Sequence, residues 1–183
     1  MNFLPAEFLK QAPPVTYNYA IIIILISVAT TLNILSPFNL IFDFDLIFNN
    51  FQFHRLVTGF LYTGSINLQW LINTFSNIQT LARAENHFPR NSLKLLFTYL
   101  LLSITLFSKF IPMPLPSIPF LSAISTIFVI YFPDNLVQIF GIFEMKAKYL
   151  PAIQLALSND YRVQILGMAI GAGWVLIERT LLK

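Results

Sequence analysis

The sequence predicts an all-α membrane protein of six spanning helices with both termini in the cytosol, and three observations predict it. Of 183 residues, 56% are apolar and only 10% charged, with mean hydropathy +0.70. A soluble domain of that length needs far more charge to cover its surface. Nineteen phenylalanines and runs such as Ile21-Ile22-Ile23-Ile24 invite aggregation in water and are ordinary in lipid. The charges also fall between long uncharged intervals, which is where membrane spans are sought. Residues 1–183 read as a single transmembrane domain.

The first uncharged interval, 11–42, has its apolar centre at 17–35 and is closed by Ser36-Pro37. Glu7, Lys10 and the bend Pro13-Pro14 precede it, and no small-residue cleavage site follows, so it reads as a retained signal-anchor helix. The second span falls within 56–82, the third within 95–108, and the third is closed by Lys109 and prolines at 112, 114, 116 and 119. A fourth lies at 117–132. The fifth and sixth, 149–159 and 163–177, are short against the roughly 20 apolar residues of a full crossing. The apolar stretch Leu136-Val137-Gln138-Ile139-Phe140 either extends the fifth span or lies in the interface as an amphipathic element.

Six spans place Lys10, Arg83, Arg90, Lys94, Lys146, Lys148, Arg179 and Lys183 on one side and Arg55, Lys109 and Arg162 on the other. The division is 8 against 3 of the 11 basic residues, and the positive-inside rule then puts both ends in the cytosol. Five or seven spans would separate the termini. The net charge of +3 is too small and dispersed for nucleic acid, and the absence of cysteine excludes disulfides and thiolate metal sites.

Catalytic chemistry has little to draw on. His54 and His87 lie in predicted loops on opposite sides of the membrane, so they share neither a metal nor a catalytic site. Ser122 and Ser125 in the fourth span have no histidine at their depth, and a hydroxyl without a base is not an activated nucleophile. They read as interhelical hydrogen-bonding residues. Asp43 and Asp45 read as solvated loop acids, and Walker-type and dinucleotide glycine motifs are absent. No cofactor or metal is expected.

The polar residues inside spans are more informative. Gln69, Asn73 and Asn77 recur at i, i+4 and i+8 on one face of the second span, widened by Ser76 and Thr80. Gln154 and Ser158 repeat the spacing on the fifth. Carboxamides in hydrocarbon need partners, which makes these stripes either helix-to-helix glue or the wall of a hydrophilic groove. Spacing alone favours glue. On the sixth span Gly167 and Gly171, with Gly173 beyond, form a small-xxx-small face for close helix packing.

Several fragments then occur in a specific order. They are Pro13-Pro14-Val15-Thr16, Ile34-Leu35-Ser36-Pro37 with Leu40, Phe51-Gln52-Phe53-His54-Arg55-Leu56, Leu71-Ile72-Asn73, Glu85-Asn86-His87-Phe88, Gly141-Ile142-Phe143 and Lys148-Tyr149-Leu150-Pro151. In that order and spacing, from about residue 13 to 177, the chain resembles the derlin family, and most of all its short fungal-type members. Derlins are rhomboid-like pseudoproteases of endoplasmic-reticulum-associated degradation. His54-Arg55 stands at the family's luminal Trp-Arg motif, with His54 where Trp is usual and Arg55 able to bind carbonyls or lipid phosphates.

The resemblance implies a six-helix rhomboid-like fold in the endoplasmic reticulum membrane, in agreement with the charge division. Active rhomboids carry Gly-X-Ser-Gly on the fourth helix and a histidine on the sixth. Here Ser122-Ala123-Ile124-Ser125 puts Ile124 at the serine position, and Gly171-Ala172 stands where derlins often keep Gly-His. Proteolysis is not expected.

The resemblance also implies a lateral gate between the second and fifth helices. Gln69, Asn73 and Asn77 would face Gln154 and Ser158 there, giving misfolded protein substrates a wet half-channel beside a membrane-embedded RING ubiquitin ligase. The short spans would thin the bilayer locally. With the sequence ending at Lys183, coupling to the AAA ATPase is expected to be indirect. A non-channel adaptor that scaffolds the ligase is the alternative, and a small-solute transporter has little to support it.

Overall fold

Helix α1 (Pro14–Thr31) reveals the solvent for which the chain is built. Its buried residues Thr16, Ala20, Ile23, Ser27 and Thr30 recur every three or four positions and form one seam. All but Ile23 are small or carry a hydroxyl, while Ile22, Leu25 and Val28 face outward, Leu25 with 63% of its surface exposed. Apolar residues outside and hydroxyls inside is the reverse of a water-soluble helix and the pattern of one packed in lipid. Only 28% of this helix is buried, and among the described residues it is the one helix both long and apolar enough to cross a membrane. The chain is membrane-associated and mostly helical.

The computed structural model describes residues 12–139, 143–156, 158 and 160–181, with the side chains of all these except 69, 72, 138, 139, 143 and 181. Pro14 opens α1, where a missing N–H leaves no helical bond unmade. Asn33, at φ 57°, closes it in the left-handed conformation that asparagine tolerates. The first N–H groups of α1 find their partner far along the chain. The Glu85 carboxylate accepts from the backbone N–H of Val15 (2.9 Å) and Thr16 (2.7 Å) and from the Thr16 hydroxyl (2.8 Å). A negative charge at a helix N-terminus also suits the helix dipole. Glu85→Ala is expected to cost about 2 kcal/mol and Glu85→Gln about half of that, read as loss of thermal stability of the purified protein.

After α1 come three short helices, α2 (Pro37–Leu40), α3 (Phe44–Phe48) and α4 (His54–Leu61), the last two helping to correct the sequence reading. Asp43 is not merely a solvated loop acid, because its Oδ1 caps α3 by accepting from the N–H of Asp45 and Leu46. The expected second span at 56–82 is divided. Helix α4 ends at Leu61, the chain turns through Gly64 at φ 108°, and α5 (Leu68–His87) begins on Asn67, whose side chain accepts from the Trp70 N–H at 2.7 Å. His54 and His87 therefore sit at helix ends rather than in loops.

Helix α6 (Arg90–Phe107) buries Leu93, Leu96, Leu100 and Ile104 and presents Leu95, Leu102 and Leu106 outward, so it is apolar all round. Helix α7 (Ser117–Tyr131) is the central post. Ile124, Ile127 and Phe128 are at most 1% exposed, and α5, α6, α8 and α9 all pack on it.

The segment that sequence reading gave to the fifth span or to an interfacial helix is instead a hairpin. Strands β1 (Leu136–Ile139) and β2 (Phe143–Lys146) pair antiparallel, with Leu136 opposite Lys146 and Ile139 opposite Phe143. Phe140 lies outside the described residues, as does Asn159 at the end of the expected fifth span. A single turn of 3-10 helix (Ala147–Tyr149) leads into α8 (Leu150–Ala156), whose 7 residues extend about 10 Å. Helix α9 (Tyr161–Leu181) corrects the expectation in the other direction. Its 21 residues reach about 31 Å, so the sixth segment is not short.

Helix α9 lies directly on α7 along Gly167 and Gly171. A β-carbon at Gly167 would stand 2.6 Å from Pro119 Cα, and one at Gly171 would stand 2.9 Å from Ala123 Cα. Both are overlaps with backbone, so only glycine fits. Tyr131 Oη donates to Glu178 Oε2 at 2.6 Å and joins the far ends of the same two helices.

Candidate functional site

Between α5, α7, α8 and the start of α9 lies a cavity of about 370 Å³. Asn73 and Asn77 enter it from α5, Gln154 from α8 and Ser158 from the turn after α8. Four of the five residues named for a groove thus line one cavity. The side chain of the fifth, Gln69, lies outside the described residues. Asn73 is exposed and Asn77 half-buried, and neither side chain bonds another described residue.

Gln154 does both things the sequence allowed. Its Nε2 donates to Ser125 Oγ on α7 at 2.9 Å, a true interhelical bond. Its Oε1 is buried and has no partner. Burying an unsatisfied carbonyl oxygen costs about 1–3 kcal/mol, a cost that Gln154 bears beside the cavity. Ser125 accordingly makes the interhelical bond expected of the span serines, whereas the Ser122 side chain bonds no other described residue.

The cavity also holds polar groups that sequence reading did not single out. Gln164 on α9 and Thr74 on α5 are each 7% exposed, and both line it. Trp70 forms part of the wall with its Nε1 tied to Thr63 Oγ1 at 2.9 Å. Ser117 donates to the Tyr62 carbonyl at 2.9 Å and fixes the rim. Gln164 and Thr74 stand alone in their helices, without an i, i+4 partner of their kind, so periodicity gave no signal for them.

Arg55 stands apart from the cavity. It is 8% exposed; its Nη1 donates to the carbonyls of Phe38 (2.6 Å) and Ile41 (2.9 Å), and its Nε to Gln52 Oε1 (2.6 Å). One guanidinium thus ties α4 to the segment around α2. His54 is exposed beside it. His87 stacks on Phe132 at 4.3 Å and on Phe128 at 6.2 Å, a packing role at the other end of the bundle.

The sequence model of the Der1-like family matches residues 12–181, nearly the whole chain. The chain belongs to the Der1-like family. Among its relatives, Derlin-2.1 of Arabidopsis thaliana is 32% identical over 170 residues, covering 83% of this chain and 68% of that protein. Derlin-2.2 of the same plant is 30% identical over 193 residues, 93% of this chain and 78% of that protein. Derlin-2.1 of Zea mays is 30% identical over 196 residues, with 94% and 76% covered. The derlin resemblance read from the ordered fragments is therefore correct. In this Der1-like chain Ile124 is 1% exposed within the core, and Gly171 lies against the backbone of Ala123 next to it.

Proposed function

We propose that this Der1-like chain assists the movement of misfolded proteins out of the endoplasmic reticulum, with the cavity between α5 and α8 serving as a laterally open, hydrophilic groove for the moving chain. The observation that carries the reading is the convergence of Asn73, Asn77 and Gln154 on one cavity, with the Asn73 and Asn77 side chains bonding no other described residue. Carboxamides inside a membrane bundle stand in for water and meet peptide N–H and C=O groups that lipid cannot satisfy. Six crossings with both ends cytosolic and a membrane-embedded RING ubiquitin ligase closing the open side complete the proposal, with ATPase coupling supplied indirectly. The chain acts without peptide hydrolysis, since Ile124 takes the place of a nucleophile.

Local thinning of the bilayer now rests on α8 alone. A helix of about 10 Å beside a hydrocarbon core of about 30 Å leaves lipid on that flank to shorten or water to enter.

One observation favours the adaptor reading. The Gln154–Ser125 bond is glue, holding α8 to α7 in the manner of an ordinary interhelical contact. Photo-crosslinkers at Asn73 and Gln154 separate the two. Transport through the groove gives adducts with a stalled substrate at both positions, and adducts with ligase helices only would leave the adaptor.

A further inference from the structure

The inner wall of the cavity has a chemistry more specific than polarity. Ser122 on α7 is 2% exposed and Gln164 on α9 is 7% exposed; both line the cavity, and neither side chain bonds another described residue. With Asn77 and Gln154, which also line the cavity, they form a wall of hydroxyl- and carboxamide-bearing residues. Such groups donate and accept alike, so they suit a peptide amide, a hydroxyl or another carboxamide.

Charge is nearly absent. No lysine, arginine or histidine lines the cavity among the described residues, and its carboxylate, Asp160, is exposed at the rim. Asp160 Oδ1 is already engaged by the N–H groups of Arg162 (3.1 Å) and Val163 (3.4 Å) at the start of α9. An uncharged segment entering this space exchanges water for amide and hydroxyl partners at little net cost. A charged side chain gives up its hydration and finds no counter-ion inside. An acidic one also meets the negative field of Asp160, whereas a basic one is drawn to that carboxylate at the rim.

We propose that the cavity is a charge filter on the polypeptide it receives: it admits uncharged polar stretches, takes basic residues less well, and turns acidic ones away. This rests on the groove reading above and adds to it a class of substrate segment.

The test places a photo-crosslinker at Leu115, a lining residue that takes no part in the polar surface. The full chain in microsomal membranes is offered a stalled substrate with a Gly-Ser stretch whose central residue is Ser, Lys or Asp. The Ser segment is expected to give the highest yield, Lys less, and Asp at least about tenfold less than Ser. Equal yields for all three would overturn the filter and leave the groove standing. No adduct with any segment would overturn both. Asn77→Asp, nearly isosteric, supplies a counter-charge at a half-buried position of the cavity wall and is expected to raise the Lys yield about tenfold. An unchanged Lys yield in that variant would also overturn the proposal.

Discussion

Leucine at Gly171 is expected to prevent stable folding. The new β-carbon would meet Ala123 O at 2.5 Å and Ala123 Cα at 2.9 Å, and backbone cannot rotate out of the way as a side chain can. Helices α7 and α9 would have to separate, taking with them the Tyr131–Glu178 bond and the packing of Tyr99 on Trp174 at 5.3 Å. The expected cost exceeds about 3 kcal/mol for leucine, and Gly171→Ala is expected to lose about 1–3 kcal/mol. Equilibrium unfolding in bicelles measures both, and steady-state abundance in cells should fall in the same order. An alanine variant that unfolds at the wild-type midpoint would mean the two helices are not held this closely.

Arg55→Ala is expected to be nearly as severe, at about 3 kcal/mol, because it removes three charge-assisted hydrogen bonds together and leaves two carbonyls without a donor. The damage should be local. Limited proteolysis should cut residues 34–56 early, while the Gly167–Gly171 contact survives. Arg55→Lys is the informative companion. Lysine keeps the charge but cannot address Phe38, Ile41 and Gln52 with one planar group, so it should recover less than half of the loss. Full recovery by lysine would show that charge, rather than the fork of donors, secures this segment.

Much of the architecture was legible in sequence because lipid imposes simple rules. Uncharged intervals located the cores of α1, α6 and α7, and the i, i+4 spacing of Asn73 with Asn77 placed both on the wall they occupy. What escaped has physical reasons as well. The run Leu136–Ile139 is too short for periodicity to separate strand from helix, and its pairing with Phe143–Lys146 depends on a partner strand that no window of a few residues contains. Helix α9 exceeds its apolar stretch because its polar ends are accommodated, Glu178 by the Tyr131 hydroxyl and Arg162 by the exposed start of the helix. Gln164 joined the cavity only when α9 was laid on α7, and lone glutamines carry no pattern.

The Glu85 cap has a consequence for how the molecule is made. Val15 and the residue that satisfies its N–H are separated by 70 positions, so the start of α1 leaves the ribosome well before its acceptor exists. At roughly 5–20 residues per second, that interval is about 4–14 seconds. During biosynthesis the first turn of α1 therefore lacks this acceptor until Glu85 has been made. It takes its final position only when α5 arrives to close it.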